Sequence, residues 1–403
     1  WLKPLGSAWL EPGLGMPLRA GKRFDGKYTI HCVLGRGNEG GFVYRAVHEE
    51  DIEREPVALK HPVRSEEQQA LRAIHESVPN CPGVAPLLDW GEHAGAHYIV
   101  TELLGPPIKT AFQELAERSL EERWEVICTI GRVLLRSFEA VHTCGFVHGD
   151  VQPSNILIGR ACDGLARPFL IDFGCARVFP GGEPMQGDWG SIDFNSVRSA
   201  DGGQRCPHDD LESLGWVLCH GLFGELPWFE WTRAAWESGE WKKKRETVCK
   251  RVQRAKVTAC EKGWGRMGPG WRHLLQMPDQ MLEYLRVCYR GVGEPDYSAL
   301  AALLQGCARS AEDVAEADLR LFNAQVVPLL ARSDLAHEGM RAKDRAAVRL
   351  EGVGAPWQRL EVVPPSPAVG DDTQVANSSR PGTPRSEFIA FDFSELEAAA
   401  ASA

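Results

Sequence analysis

Between residues 28 and 105, apolar and polar positions alternate in short runs that are typical of β-strands. The pattern predicts strands in four segments, which read YTIHCVLG, GGFVYRAVH, PVALKHPV and HYIVTELLG. Residues 65–76 interrupt the strands with a helical stretch. Residues 1–23 are rich in Gly, Pro and Leu and predict an irregular lead-in.

From Thr110 onward the spacing of apolar residues becomes helical. Ser119 followed by Glu122 predicts a capping box at the start of a long helix. One apolar face of that helix recurs at three- and four-residue steps, at Ile127, Ile130, Leu134, Phe138 and Val141. A second apolar helix is expected at about residues 211–222, and the helical pattern continues to about residue 348.

Beyond residue 352 the composition shifts to Pro, Ser, Gly and Ala, so we expect a disordered tail over residues 353–403. Its exception is FIAFDFSELE, residues 388–397, which is both aromatic and acidic. Such a segment could dock on a partner or fold back on the rest of the chain.

The composition fits a soluble globular protein, with 43% apolar and 25% charged residues among 403. A net charge of −10 and a pI of about 5.7 argue against a nucleic-acid partner. No apolar run approaches the ~20 residues of a membrane span, so no membrane partner is expected. The 12 cysteines form no C-x-x-C pair, which favours reduced thiols and a cytoplasmic or nuclear location.

A glycine-rich segment, LGRGNEGGFVYRA at residues 34–46, lies between two predicted strands. Glycines let backbone N–H groups approach phosphates closely. A strand rather than a helix follows, which excludes a Rossmann site. The next strand carries Lys60 in PVALK, a position suited to the α- and β-phosphates of a nucleotide. Glu67 is the best candidate to pair with that ammonium group, and Glu66 is the alternative.

Two further motifs complete a phosphoryl-transfer site. HGDVQPSNILI, residues 148–158, supplies Asp150 as a candidate base and Asn155 as a candidate metal ligand. LIDFG, residues 170–174, supplies Asp172 as a second oxygen ligand of the kind that Mg²⁺ prefers. Apolar strands flank both motifs, so Asn155 and Asp172 are expected to converge. Together these residues point to phosphoryl transfer from ATP.

The set resembles the eukaryotic protein kinases across about residues 24–306, and the casein kinase 1 family, with its vaccinia-related cousins, is most similar. The resemblance rests on four local matches, which are ELLGPPI (102–108), DDLESLGWVL (209–218), ELPW (225–228) and EPDYSAL (294–300). GSIDFNSV, residues 190–197, stands where many kinases have A-P-E, and the casein kinase 1 family lacks that motif too.

The resemblance implies an α+β fold with a small β-rich N-lobe (24–103) and a large helical C-lobe (104–306). The helical pattern beyond it predicts a helical extension at residues 307–352. It implies ATP and Mg²⁺ in the cleft, a monomer, and transfer to Ser or Thr of protein substrates. The basic stretch at residues 241–256 could attract acidic or phosphate-primed substrates.

The resemblance also assigns residue roles. Asp150 would be the base, with Asn155 and Asp172 on Mg²⁺, and Asp210 would brace the catalytic loop. Thr101 would be the gatekeeper, and Glu102–Leu104 would meet the adenine. The full set of expected ATP contacts is Gly35, Arg36, Gly37, Asn38, Glu39, Gly40, Gly41, Val43, Ala58, Lys60, Glu67, Thr101, Glu102 and Leu104.

Two departures from the kinase pattern bear on activity. Gly149 stands where many protein kinases have an Arg that binds a phosphate on the activation loop, so activity is expected without such a phosphate. Gln152 stands where most Ser/Thr kinases have a Lys that faces the transferring phosphoryl group. Three functions therefore remain open: an active protein Ser/Thr kinase, a weakened kinase-fold scaffold or nucleotide binder, and a small-molecule phosphotransferase.

Overall fold

The computed structural model describes residues 16–330, except 38–40, 52–54, 161–163, 183–189, 202, 267–273 and 305–314. Most of the predicted lead-in, the tip of the glycine-rich segment, the ends of the predicted extension and the whole tail therefore lie outside the described residues.

The four predicted strands and two further ones form one antiparallel sheet. Its strands are β1 (Arg23–Phe24), β2 (Tyr28–Arg36), β3 (Phe42–His48), β4 (Pro56–Val63), β5 (Leu87–His93) and β6 (Ala96–Glu102). They lie in the order β1-β2-β3-β4-β6-β5. Helix α1 (Ser65–Ser77) connects β4 to β5, close to the predicted bounds. The sequence pattern predicted neither β1, which has two residues, nor the edge strand β5, in which Asp89, Gly91 and Glu92 weaken the β signal.

Helices dominate the rest of the chain. They are α2 (Lys109–Leu115), α3 (Leu120–Thr143), α4 (Pro207–Phe223), α5 (Phe229–Glu237), α6 (Trp241–Lys262), α7 (Asp279–Arg290), α8 (Tyr297–Leu303) and α9 (residues 315–330). The capping box of Ser119 and Glu122 at the start of α3 is confirmed, and the predicted apolar face of α3 is fully buried. Helix α4 begins four residues earlier than about residue 211, because Pro207 occupies its first turn and Asp209 caps it.

Two short pairs of strands carry the candidate catalytic segments. Strand β7 (Phe146–Val147) pairs with β10 (Arg177–Val178), and β8 (Ile156–Arg160) pairs with β9 (Ala166–Leu170), both antiparallel. The loop from β7 to β8 contains Asp150 and Asn155, and the loop from β9 to β10 contains Asp172. The two pairings therefore bring the two loops to one place.

Most of the buried apolar side chains in the described part of the chain belong to two clusters. One lies within the six-stranded sheet and includes Tyr44 and Leu59. The larger one joins α1 to the helices and includes Ile74 of α1, Phe138 and Trp216. Helix α1 is thus packed against the helical part of the molecule, which brings its acidic residues toward the β8–β9 hairpin. No helix among the described residues has the length and apolar character needed to span a membrane.

Candidate active site

The register of the sheet places the expected nucleotide contacts on one face. Val43 on β3 lies opposite Lys60 on β4, and Ala58 lies opposite Thr101 on β6. Residues directly opposite each other, and residues two apart in a strand, point to the same side of a sheet. These four residues are only partly buried, whereas their neighbours Tyr44, Leu59 and Val100 point to the other face and are buried in the sheet's own core.

The described residues of the glycine-rich segment end β2 and begin β3. Gly35 lies opposite Val43, Arg36 lies opposite Phe42, and Gly37 N–H donates to Gly41 O at 2.8 Å. A Cβ atom on Gly41 would lie 2.3 Å from Pro62 O, so the chain tolerates no side chain there. A Cβ atom on Gly37 would lie 3.4 Å from Lys60 Cε, which places Gly37 beside the lysine. The three expected contacts Asn38, Glu39 and Gly40 lie outside the described residues.

Lys60 connects the sheet to Glu67 of α1 and to Asp172 in the loop between β9 and β10. Its Nζ atom lies 2.7 and 2.9 Å from the two carboxylate oxygens of Glu67 and 2.7 Å from Asp172 Oδ1. Burial alone would lower the pKa of Lys60, but the two carboxylates raise it above its ordinary value. The alternative partner, Glu66, instead accepts a hydrogen bond from Ser65 Oγ. Glu67 is therefore the residue that holds the lysine.

Asp172 occupies an uncommon backbone conformation, with φ 63° in the left-handed region. Burial would raise the pKa of its carboxyl group, but the ion pair with Lys60 lowers that pKa below the ordinary value. Asp172 is thus held ionised beside the lysine. Left-handed non-glycine residues of this kind cluster at functional sites.

Asp150 is almost fully buried, and three groups donate hydrogen bonds to its carboxylate. Asn155 Nδ2 and Gln152 Nε2 each donate to Oδ2 at 2.9 Å, and the backbone N–H of Ser191 donates to Oδ1 at 2.8 Å. Burial and the nearby charge of Asp172 raise the pKa of Asp150, and the Gln152 and Ser191 hydrogen bonds act against that rise. The carboxylate is therefore oriented by fixed donors and has a raised proton affinity.

Asp210, on α4, lies beneath this loop. Its Oδ2 accepts from His148 N–H at 2.6 Å, and its Oδ1 accepts from Gly149 N–H at 2.8 Å. His142 Nε2 lies 3.0 Å from Oδ2. Burial would raise the pKa of Asp210, but these hydrogen bonds, led by that of His142, lower it. Asp210 therefore holds the backbone of the loop that carries Asp150, as expected from the sequence.

Gly149 has a conformational reason to be glycine. Its φ is 77°, and a Cβ atom there would lie 2.6 Å from Cys175 O. Arg205, a buried residue just before α4, donates to Gly149 O through its guanidinium group. The positive charge of Arg205 thus lies beside this loop, although position 149 itself has no arginine. Arg205 is the last residue of the 175–205 segment. No motif in the sequence indicated Arg205, because it contacts backbone atoms that are distant in sequence.

The expected adenine contacts lie where β6 ends. Thr101 and Glu102 close that strand, and burial raises the pKa of Glu102 to about 8. Leu104 packs on β8, since a Cβ atom on Gly159 would lie 2.6 Å from Leu104 Cδ2. Gly105 N–H also donates to Ile158 O at 2.8 Å. The segment after β6 is thereby attached to the strand that follows Asn155.

The donor set fits a magnesium ion bound together with phosphates. Within the described residues, no three His, Cys, Asp or Glu side chains come together as a metal site. Asp172 offers a carboxylate, and Asn155 commits its Nδ2 to Asp150, which leaves its amide oxygen for a cation. Two oxygen ligands suit Mg²⁺, which takes the rest of its shell from water and substrate phosphates.

Comparison with known sequences agrees with this geometry. A profile described as protein kinase domain matches residues 28–284. The chain belongs to the protein kinase family. This kinase is also similar to a probable serine/threonine-protein kinase of Dictyostelium discoideum, with 32% identity over 225 residues. That similarity covers 52% of this chain and 43% of the relative, so this kinase spans less than half of the relative's length.

Proposed function

We propose that this kinase transfers the γ-phosphoryl group of ATP to Ser or Thr of protein substrates, as a member of the casein kinase 1 type. The observation that carries the proposal is Lys60 placed between Glu67 and Asp172, with Nζ–O distances of 2.7 Å to each. This arrangement joins the face of the sheet that carries the expected nucleotide contacts to Asp172, a candidate metal ligand. The name of the Dictyostelium relative supports Ser/Thr specificity.

In this proposal ATP binds in a cleft between an N-lobe (24–103) and a C-lobe (104–306). Thr101 and Glu102–Leu104 meet the adenine, and the residues from Gly35 to Val43 cover the phosphates. Lys60, held by Glu67, neutralises charge on the α- and β-phosphates. Mg²⁺, held by Asn155 and Asp172, would supply charge neutralisation at the β- and γ-phosphates.

Asp150 would take the proton of the attacking hydroxyl group. A general base works best when its pKa is close to the working pH, and burial together with Asp172 raises the pKa of Asp150 in that direction. Asn155 and Ser191 fix the carboxylate from two sides, so the base does not have to reorient during the reaction.

A catalytically weakened kinase that acts as a nucleotide-binding scaffold is the second candidate, and Gln152 favours it. The buried amide of Gln152 donates to Asp150, so this position adds a hydrogen bond but no positive charge near the phosphoryl group. Losing one such electrostatic contact typically costs ~10²–10³ in rate.

Acidic or phosphate-primed proteins are the proposed substrates. Lys242, Lys243 and Lys244 are exposed in the first turn of α6 and form the start of a basic stretch. We include a monomeric state and a cytoplasmic or nuclear location in the proposal.

Two measurements on the purified full chain separate the candidates. The first is the shift of the melting temperature by ATP with and without Mg²⁺, and the second is ATP turnover with casein or with a small alcohol. The proposal expects a Mg²⁺-dependent shift and turnover on casein. A shift without turnover would instead establish the scaffold, and turnover on the small alcohol alone would establish a small-molecule phosphotransferase.

A further inference from the structure

Helix α9, residues 315–330, lies beyond the residues that match the family profile, yet it is part of the core. Four of its apolar residues recur at three- and four-residue steps and are at most 1% exposed, namely Phe322, Val326, Leu329 and Leu330. They belong to the same cluster as the apolar face of α3. The helix is therefore packed on the kinase domain and is not a separate unit.

A buried ion cluster fixes α9 to α3. Asp318 Oδ1 lies 2.8 Å from Arg132 Nε, and Asp318 Oδ2 lies 2.7 Å from an Nη atom of Arg136. The two arginines are one helical turn apart on α3, so one carboxylate bridges both. Arg132 also donates to Leu304 O at 2.7 Å, which attaches the end of α8 to α3. Removal of Asp318 would leave the buried Arg132 charge without its carboxylate.

Asn323 fixes α9 to the β8–β9 hairpin. Its Nδ2 donates to Ala166 O at 2.8 Å, and its Oδ1 accepts from Ala166 N–H at 2.8 Å. One side chain thus satisfies both backbone groups of the first residue of β9, as a neighbouring strand would do. At the other end of β9, Leu170 N–H donates to Gly83 O at 2.7 Å. The outer edge of β9 is therefore held at both ends.

This hairpin carries the two candidate metal ligands. Asn155 directly precedes β8, and Asp172 follows β9 by two residues. Isolated two-stranded hairpins are marginally stable, so contacts outside the pair decide how the hairpin lies. Ala166 and Leu170 are four residues apart, a span of ~13 Å along an extended strand.

We infer that α9 is a brace that positions Asn155 and Asp172 through the β8–β9 hairpin. Asp318 and Asn323 are then positioning residues for the phosphoryl transfer proposed above, on which this role rests. The brace acts on the metal ligands, whereas Thr101 and Glu102 belong to the six-stranded sheet and are expected to keep their positions.

The test compares Asn323→Ala and Asp318→Asn with Arg320→Ala in the full chain. Arg320 is the matched control, because it lies on the same helix and, among the described residues, forms only an exposed pair with Glu316. The first readout is hydrogen–deuterium exchange of residues 156–170 without nucleotide. The second is the Mg²⁺ concentration at which ADP raises the melting temperature by half of its maximal shift. The third is the separate measurement of kcat and of the KM for ATP.

The brace predicts faster exchange in the hairpin and a Mg²⁺ requirement raised ~10-fold in both variants, as for other groups that orient metal ligands. It also predicts a lowered kcat with an unchanged KM for ATP at saturating Mg²⁺, and no change in Arg320→Ala. Asn323 is only half-buried, so Asn323→Ala carries the test if Asp318→Asn does not fold.

A lowered melting temperature with unchanged hairpin exchange and an unchanged Mg²⁺ requirement would overturn the brace and leave α9 as a stabilising element. The exchange and Mg²⁺–ADP readouts need no catalytic turnover. They therefore test the brace even if the proposed kinase activity fails on every protein substrate.

Discussion

Gln152 Nε2 lies 2.9 Å from Asp150 Oδ2, so the residue in the usual lysine position hydrogen-bonds the candidate base. Ser154 Oγ donates to Gln152 Oε1 at 3.0 Å and fixes the orientation of the amide. Gln152 therefore stabilises the ionised form of Asp150, which a base requires. It does not supply the positive charge that a lysine would bring to the phosphoryl group.

We expect Gln152→Leu to lower kcat/KM and to move the acidic limb of its pH profile to higher pH. Activity requires ionised Asp150 and so rises with pH through the pKa of that group. The Gln152 hydrogen bond lowers this pKa, so its removal raises the pKa further. We expect a loss of ~10² in kcat near neutral pH.

The matched variant is Gln152→Lys, which keeps a donor and adds a charge. The added cation lowers the pKa of Asp150, so the acidic limb moves to lower pH and kcat rises. Profiles that superimpose for both variants and the parent would show that Gln152 has no influence on the base.

Lys60→Met is expected to lower kcat by ~10², because it removes a cation from the phosphates. It also leaves the carboxylates of Glu67 and Asp172 without their shared partner. Glu67→Gln should have a smaller effect in the same direction. Glu66→Gln is the matched control, because Glu66 bonds Ser65 and not the lysine. Equal losses for Glu66→Gln and Glu67→Gln, measured by ATP turnover, would contradict the pairing.

Gly149→Ala is expected to destabilise the fold. An alanine in the left-handed region costs ~1–2 kcal/mol, and here its Cβ atom would also press on Cys175 O at 2.6 Å. Gly95→Ala is the control, since Gly95 has a φ of 76° but nothing within 4 Å of the added Cβ atom. Urea denaturation should show the larger loss for Gly149→Ala. Equal losses would mean that only the backbone conformation matters.

Activity is expected without phosphorylation of the 175–198 segment. Position 149 holds a glycine and not an arginine that could bind a phosphate. Arg205 instead contacts the same loop by donating a hydrogen bond to Gly149 O. Phosphatase-treated protein should therefore keep its rate of ATP turnover on casein. Arg205→Gln should lower that rate in treated and untreated protein alike. Protein that becomes active only after phosphorylation of this segment would refute this view.

The sequence predicted the elements whose signal is local. The apolar face of α3, its capping box and the strands around Lys60 follow from periodicity and short motifs. Edge strand β5 was missed because Asp89, Gly91 and Glu92, which are poor strand formers, interrupt its apolar residues. The true start of α4 was missed because Pro207 and Asp209 precede its apolar stretch.

The parts of the site that could not be predicted depend on contacts between distant segments. Ser191 contacts Asp150 through its own backbone N–H, and Arg205 contacts the backbone oxygen of Gly149. Contacts to backbone atoms cannot be recognised from the pattern of side chains in a sequence. Asn323 likewise bonds the backbone of Ala166, 157 residues away in sequence. The sequence favoured Glu67 as the partner of Lys60, but excluding Glu66 needed the orientation of α1, which its packing against the helical core sets.

Transfer of labelled γ-phosphate from ATP to casein by the purified protein, compared with Asp150→Asn, tests the central claim most directly. Asp279→Asn on the exposed start of α7 is the control. We predict transfer by the parent and the control, and a loss of ~10²–10⁴ in Asp150→Asn with Mg²⁺–ATP binding retained. Equal transfer by Asp150→Asn and the parent would contradict the account.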